Sequence, residues 1–416
     1  MEPAHRMGGA AVSKFEKFEL SPPPTLAPSC DGSAGHRHAQ RLSLSLSGVR
    51  LRTHVAGCRR WEGWYKTELL QGHTANSTST MTRLTMMLSA LCLSIVTLSL
   101  GAPAATFPDP LPLQGAHVYV HDPSLIQRES DGKYFLFTSH DKAGIITADN
   151  LAGPWTEVGS TLPDGSSIDL PGNDDIWAPD VSFHNGVYYA YYAVSTSGSQ
   201  NSGIGLATST SMDPGTWTDL GQVFRTQTND PYNAIDPNLV IDENGTPVLT
   251  FGSYWGDIYQ FNLQSDFKTP ATSPVQVAHN STAPSPVEGA FVWKHGDFYY
   301  LFTSSGQCCS FDPNNLPPAG NEYKVFVGRS SSAHGPFVDA AGVDMRNNGG
   351  TLVIASHGDV FAPGGEGIFH DTKSGKDIFV YHYLHSQGSM AYQEQGSSVG
   401  LNAIDWSSGW PVLTSI

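Results

Sequence analysis

Five stretches of the chain repeat one pattern of polar and apolar residues. Each begins with an acidic residue in a short apolar segment, continues through a Gly or Asn turn, and ends in a run rich in Tyr, Phe and Val. Asn-Gly and Asp-Gly pairs between apolar runs are the strongest short-range signal for a β-hairpin. The first segments of the five copies are 121–126, 177–181, 235–240, 287–292 and 365–369.

The spacing of the repeat predicts the fold. Its acidic residues, which we call the five anchors, are Asp122, Asp180, Asp236, Glu288 and Glu366. They are 58, 56, 52 and 78 residues apart, so each unit has room for four short strands. Four-stranded sheets repeated around an axis describe a propeller. We therefore predict an all-β, five-bladed β-propeller over 106–416, with an extra loop at 305–322 and a last blade completed near 406–413.

The residues before this domain have a different character. Residues 87–100 form an apolar run of the length of a signal-peptide core, and 102–104 fit a small-x-small cleavage site. The run is short for a membrane span, which needs about 20 residues, although a signal anchor or a buried helix are alternatives. We predict a signal peptide at 81–105, a secreted product and no membrane attachment after cleavage. Residues 1–80 are expected to be disordered, or to be an upstream extension that the working protein lacks.

Charge narrows the range of partners. Residues 1–80 carry a net charge of +4, whereas 106–416 carry −21. A broad basic face for nucleic acid is not expected on such a domain. Nothing in the sequence indicates an oligomer, so we expect a monomer.

Cysteine usage adds little to the picture. Cys308 and Cys309 are the two cysteines of 106–416, and being adjacent they form either a vicinal disulfide or two free thiols. A zinc site is not expected, because no second Cys/His pair has ligand spacing. Asn244 and Asn280 begin glycosylation sequons that a secreted chain would expose to the glycosylation machinery.

The anchors suggest a chemistry. The innermost strands of a propeller line its channel, so the repeat brings one anchor per blade to the same axis, although a single Asp can also cap a turn. Glycoside hydrolysis needs one carboxylic acid and one carboxylate. Glu288 has apolar or small neighbours, which favour a raised pKa and the acid role, whereas Asp122 has a more polar setting. Nearby aromatic residues fit either sugar stacking or the core: Trp177, Tyr254, Trp255 and Trp293.

Four ordered motifs carry a resemblance. They are His121-Asp-Pro-Ser124, Trp177-Ala-Pro-Asp-Val181, Ile235-Asp-Pro237 and Val287-Glu-Gly289. Together they resemble glycoside hydrolase family 43, and within it the secreted fungal endo-arabinanases, to which Gly306-Gln-Cys-Cys309 is also similar. The resemblance covers 106–416.

The resemblance implies an inverting hydrolase that cleaves internal α-1,5 bonds of arabinan. It implies Asp122 as general base, Glu288 as general acid, and Asp236 as the residue that tunes the acid's pKa and orients the substrate. Asp180 would have a supporting role. Substrate contacts are implied at Trp177, Gly203, Asn233, Ser253, Tyr254 and Trp255.

Two features of the fifth unit stay open. The resemblance implies a calcium ion in the channel, held by His382 and waters, although the sequence alone favours a core histidine. Relatives usually carry a Gly-Pro-Gly-His-like stretch where this chain has Ala362-Pro-Gly-Gly-Glu-Gly367. Glu366 is therefore expected to alter subsite preference or to cap a turn.

Two other functions fit the same scaffold. One is an exo-acting β-xylosidase or α-L-arabinofuranosidase, and the other is a sugar-binding propeller without catalysis. The products formed from linear arabinan separate them, because an endo-acting enzyme releases oligomers, an exo-acting enzyme releases monomer, and a binding module releases nothing.

Overall fold

The computed structural model describes residues 106–282 and 286–416, and two short strands that pair antiparallel with each other, β1 (Ser45–Leu46) and β2 (Val49–Arg50). The predicted signal peptide at 81–105 and the rest of 1–80 lie outside the described residues. None of the helices that the structure describes has the length and apolar character needed to cross a bilayer.

From residue 106 onward, the described residues form five four-stranded antiparallel sheets. In every sheet the strands pair in chain order, and the first strands of all five line one central cavity. The prediction of a five-bladed β-propeller is confirmed. The only helices among the described residues are two 3₁₀ turns, η1 (Met345–Asn347) and η2 (Glu394–Gly396).

The blades have the following strands, each given from the innermost outward. Blade 1 contains β3 (Ser124–Gln127), β4 (Tyr134–Thr138), β5 (Gly144–Ala148) and β6 (Thr156–Ser160). Blade 2 contains β7 (Trp177–His184), β8 (Val187–Val194), β9 (Gly203–Ser209) and β10 (Thr218–Arg225). Blade 3 contains β11 (Asn238–Ile241), β12 (Pro247–Phe251), β13 (Ile258–Asn262) and β14 (Val275–Ala278). Blade 4 contains β15 (Val287–His295), β16 (Phe298–Ser305), β17 (Lys324–Ser330) and β18 (Thr351–Ile354). Blade 5 contains β19 (Val360–Asp371), β20 (Lys376–His385), β21 (Ser398–Asp405) and β22 (Val412–Thr414).

The core consists of apolar layers between neighbouring blades. Because successive side chains of a strand point to opposite faces, a strand packed on both sides is apolar throughout. On β8, Tyr192 packs towards blade 1 while the adjacent Tyr191 packs towards blade 3, and both are fully buried. This explains why the second strand of each repeat is so dense in Tyr, Phe and Val.

The ring is closed between blades 5 and 1. Blade 5 takes all four of its strands from the end of the chain, as expected from the sequence. The segment before β3 runs along β21, where the Leu111 N–H donates to the Leu401 carbonyl at 2.9 Å and the Val399 N–H donates to the His117 carbonyl at 3.2 Å. The segment thereby fixes the first blade against the last.

Five positions at the starts of the innermost strands are structurally equivalent. They share a left-handed backbone, with φ of 43° at Asp122, 41° at Ala178, 53° at Asp236, 58° at Gly289 and 58° at Gly365. Four of them donate their N–H to a side chain of the preceding blade, and the acceptors of the bonds from blades 1, 2, 4 and 5 are His382, Ser139, Asp236 and Ser304. A left-handed backbone in Asp and Ala is strained and is kept where the surroundings hold it.

This equivalence corrects the alignment expected from the repeat. Asp122 and Asp236 occupy the equivalent position itself, whereas Glu288 lies one residue before it, Glu366 one residue after it and Asp180 two residues after it. The five anchors therefore do not occupy one equivalent position and do not have the same structural role. Side-chain periodicity could not reveal this, because the innermost strands of blades 2, 4 and 5 contain register shifts near these residues.

Candidate active site

Four of the five anchors line one cavity on the propeller axis. They are Asp122, Asp180, Asp236 and Glu366, and the fifth, Glu288, adjoins the lining residue Gly289. The cavity holds about 60 Å³, which is room for a few waters and too small for a sugar ring. A polymer would therefore have to bind at the mouth, where the innermost strands begin.

Asp122 is set up as an ionised carboxylate. Its Oδ2 lies 3.0 Å from Nδ1 of His121 and accepts the Ser139 hydroxyl at 2.8 Å. Burial alone would raise the pKa of Asp122, but the charge and hydrogen bond of His121, with help from Ser139, hold it well below its usual range. An ionised carboxylate that keeps a free lone pair can take a proton from water.

Glu288 and Asp236 lie on the neighbouring blades 4 and 3. Glu288 accepts the Ser253 hydroxyl at 2.5 Å, and Asp236 accepts the Gly289 N–H at 3.2 Å. Burial and the negative charge of nearby carboxylates raise the pKa of both groups. Two such carboxyls titrate as a pair, and the second proton leaves only at a raised pH. The pair thus retains a proton that a departing oxygen can accept.

Three polar side chains that serve these carboxyls were not singled out from the sequence. Tyr323 is buried and lowers the pKa of Glu288 against the effect of burial, and the hydroxyls of Ser139 and Ser304 donate to Asp122 and Glu366. The serines do leave a signal, since each second strand of blades 1 to 4 ends in or is followed within two residues by Ser: Ser139, Ser195, Ser253 and Ser304. Tyr323 follows the extra loop of blade 4 and has no equivalent in the repeat.

Asp180 holds blade 2 to blade 3. Its Oδ2 accepts the Leu239 N–H at 2.9 Å, and burial raises its pKa to about 6. Ser124 and Asn238 stand at the equivalent place in blades 1 and 3 and accept the N–H of the next blade at 3.0 and 2.8 Å. This hydrogen bond between blades agrees with the supporting role that the resemblance implies for Asp180.

The implied substrate contacts fall into two groups. Tyr254 and Trp255 are 52% and 41% exposed and directly follow Ser253, which binds Glu288. Trp177 is half-buried and donates its indole N–H to Asp175 at 3.2 Å.

The other residues implied as substrate contacts are less exposed to solvent. Asn233 is buried, and its Oδ1 has no hydrogen-bond partner among the described residues. Gly203 lies under Ile168 and Leu170, so these side chains cover it. Trp293 lines a different cavity together with Lys294, and its indole bonds to Asp377 at 3.3 Å.

His382 has the properties of a cation ligand. It is 1% exposed, and burial together with the charge of His121 lowers its pKa to about 3, so the ring is neutral. Its Nε2 is buried and has no partner among the described residues. Because Nδ1 accepts the Asp122 N–H at 3.1 Å, the proton of the neutral ring lies on Nε2, and ligation of a cation through Nε2 requires the other tautomer. Ca²⁺ prefers six to eight oxygen ligands, so a calcium ion here would be held largely by water.

The extra loop of blade 4 reaches the same mouth. Cys308 and Cys309 in this loop form a disulfide with each other. The Cys309 sulfur lies 3.8 Å from Nε2 of His121, and Glu394 accepts the Ser310 N–H at 3.0 Å. The loop therefore borders the histidine that pairs with Asp122.

The channel mouth of this propeller holds an ionised aspartate and a carboxyl pair that retains a proton. These are the two kinds of group that a glycoside hydrolase needs. The family described as glycosyl hydrolases family 43 matches residues 116–411, and the chain belongs to it. Arabinan endo-1,5-α-L-arabinosidase A of Aspergillus niger is 49% identical over 294 residues, which are 70% of this chain and 90% of that protein.

Solved structures show the same fold. An exo-1,5-α-L-arabinanase from a bovine ruminal metagenomic library has a TM-score of 0.61 and 34% identity, and the match covers 75% of this chain and 98% of that one. A family 43 endo-arabinanase from Bacillus licheniformis has a TM-score of 0.61 and 31% identity, over 72% of this chain and 99% of that one. The fold thus serves both modes of cleavage.

Proposed function

We propose that this protein is an inverting endo-arabinanase that hydrolyses internal α-1,5-L-arabinofuranosidic bonds of arabinan. The observation that carries the proposal is the pairing of an ionised Asp122 with a proton-retaining Glu288 and Asp236 pair at one channel mouth. The arabinan substrate is taken from the activity named for the A. niger relative.

The reaction follows from these protonation states. Glu288 gives its proton to the glycosidic oxygen as the bond from that oxygen to the anomeric carbon breaks. Asp122 takes a proton from a water whose oxygen bonds to the anomeric carbon from the opposite face. The products are two shorter chains with an inverted anomeric centre, and the two carboxyls have exchanged protonation states. Asp236 shares the retained proton with Glu288, since burial and the negative charge of Glu288 raise the pKa of Asp236, and Asp236 aligns Gly289 by accepting its N–H.

The products from debranched arabinan test the proposal. A purified endo-acting enzyme releases a series of oligomers early in the reaction. Early release of arabinose alone would favour exo cleavage, the alternative that the ruminal exo-arabinanase supports through its similar fold. Tight binding with no new reducing ends would leave only a sugar-binding propeller.

We also propose that His382 holds a calcium ion with waters in the other positions. The positive charge of the calcium ion would favour the ionised form of Asp122. Calorimetry on protein treated with a chelator tests this, because wild-type protein should bind Ca²⁺ and His382→Gln should bind it much more weakly. Equal binding by the two proteins, or none by the wild type, contradicts the proposal.

The working form is proposed to be a secreted monomer. The apolar run at 87–100 and its cleavage motif support secretion. Amino-terminal sequencing of protein from culture medium should begin close to residue 106, whereas recovery of Met1 would refute it. Sedimentation should give a single species with the mass of one chain.

A further inference from the structure

An aromatic pair, formed by the exposed Tyr119 and the half-buried His140, stands beside Asp122 at the channel mouth. Tyr119 is 46% exposed and lies parallel to His140, with 5.9 Å between ring centroids and 10° between planes. Tyr119 is three residues before Asp122, and His140 follows Ser139, whose hydroxyl binds Asp122. The pair, which we call the Tyr119–His140 platform, is therefore continuous with the active site.

The platform is fixed before any ligand arrives. The Tyr119 N–H donates to the Ser397 carbonyl at 2.6 Å, and the His140 N–H donates to the Ile176 carbonyl at 2.9 Å. Both residues have a left-handed backbone, with φ of 62° and 69°. Strain of this kind is retained where it presents a side chain for use, and prior fixation lowers the entropic cost of binding.

A carboxylate joins the platform to the rest of the mouth. Asp175 lies 2.9 Å from Nδ1 of His140 through one oxygen and accepts the Trp177 indole N–H at 3.2 Å through the other. His140, Asp175 and Trp177 are thus connected by hydrogen bonds, and together they present aromatic faces and polar groups along one edge of the mouth. Sugars present the same mixture, a C–H face and a rim of hydroxyls.

The position of the platform matches what an internal cleavage requires. Among the described residues, the Tyr, Phe and Trp residues that are more than 40% exposed are Tyr119, Tyr254 and Trp255. Tyr254 and Trp255 adjoin the Glu288 side through Ser253, whereas Tyr119 adjoins the Asp122 side. Blades 1 and 3 are not neighbours in a five-bladed ring, so aromatic surfaces flank the carboxyls from separate blades.

We propose that Tyr119 and His140 form a sugar-binding subsite that takes an arabinofuranose unit beyond those next to the scissile bond. The inference rests on the proposed function and adds a contact to it. One face of the sugar unit packs on the Tyr119 ring, and its hydroxyls reach Asp175 and His140. The subsite favours long chains over short ones.

Kinetics on arabino-oligosaccharides of defined length test the subsite. Tyr119→Ala should lower kcat/KM about fivefold to tenfold on arabinohexaose and on linear arabinan, while arabinotriose stays within twofold of the wild type. Tyr119→Phe keeps the ring and should stay within twofold on every length. Phe298→Ala is the matched control, since Phe298 is a 36% exposed aromatic residue at the far end of β16.

Melting temperatures separate binding from folding. An unchanged rate of Tyr119→Ala on arabinohexaose, with a wild type that cleaves arabinan, overturns the subsite and leaves the proposed function intact. An equal loss on arabinotriose also overturns it, because the contact would then lie at the reacting sugar or act through the fold. A wild type that releases nothing from arabinan overturns the proposed function, and the subsite with it.

Discussion

Nδ1 of His121 lies 3.0 Å from Oδ2 of Asp122, so the residue before the proposed base carries its counter-charge. Burial by itself would lower the pKa of His121, but Asp122 and Glu394 raise it to about 9. Both members of the pair are therefore charged at neutral pH. The pairing explains how a partly buried carboxylate stays ionised at the mouth.

Removing this counter-charge should move the acid limb of activity. In His121→Asn, the pKa of Asp122 rises, because burial still favours its neutral form and the imidazolium is gone. The acid limb of kcat/KM should therefore shift to higher pH. His370→Asn is the control, since His370 pairs with Asp377 on β19 and β20. An unshifted acid limb would show that His121 does not set the charge of the base.

The two proposed proton carriers should be indispensable for turnover. Asp122→Asn and Glu288→Gln keep the shape of each side chain but remove its capacity to accept or donate the proton. Each should lower kcat by about 10²–10⁴-fold, the usual contribution of general acid–base catalysis. Circular dichroism and melting temperature should stay near wild type. Near-normal turnover by Glu288→Gln would remove the acid assignment.

Asp236 should set the alkaline limb. Asp236→Asn preserves an acceptor for the Gly289 N–H but takes away one negative charge from the carboxyl pair. Glu288 then loses its proton without opposing a neighbouring carboxylate, so its pKa falls. The alkaline limb of kcat/KM should move to lower pH, and a shift in the other direction would contradict the coupling.

Asp180 should matter for stability more than for chemistry. Asp180→Ala leaves the buried Leu239 N–H without an acceptor, at a cost of roughly 1–3 kcal/mol. Asp180→Asn keeps an acceptor, as Asn238 does at the equivalent place, and should be close to wild type. Denaturant unfolding measures both. A large fall in kcat with unchanged stability in Asp180→Asn would instead place this residue in the reaction.

Glu366 should make stability depend on pH. It is 6% exposed, and burial raises its pKa in the folded protein to about 8 from an ordinary value of 4.5. The folded state therefore binds the proton more tightly, and the stability contributed by Glu366 is lost as pH rises from about 4.5 to about 8. Glu366→Gln should melt higher than wild type at pH 8 and nearly together with it at pH 4.5. Equal melting temperatures at pH 8 would show that Glu366 is not buried as a neutral acid.

The sequence predicted the propeller because its dominant signal is periodic. A strand such as β8 buries both faces between blades, and the same demand recurs in each unit. The hairpin turns between first and second strands were also visible, because Asn185 and Gly186 supply the left-handed backbone that such turns need. These features depend on local chemistry, which the residue order carries.

The exact place of each anchor could not be predicted in the same way. Asp180 resembles Asp122 in the repeat, yet its structural counterparts are Ser124 and Asn238, which share its hydrogen bond and not its charge. Register shifts displace these residues by one or two positions, and only the folded backbone shows them. Tyr323 was missed because it directly follows a loop that the other blades lack.

The anomeric configuration of the first product tests the central claim most directly. Proton NMR during early hydrolysis of a linear α-1,5-arabino-oligosaccharide by the wild-type protein should show the β-anomer first, followed by slower equilibration. That result is the outcome of direct attack by water, with the base role assigned to Asp122 and the acid role to Glu288. The α-anomer as the first product would mean retention through a covalent intermediate, and would contradict the assignment of Asp122 as a general base.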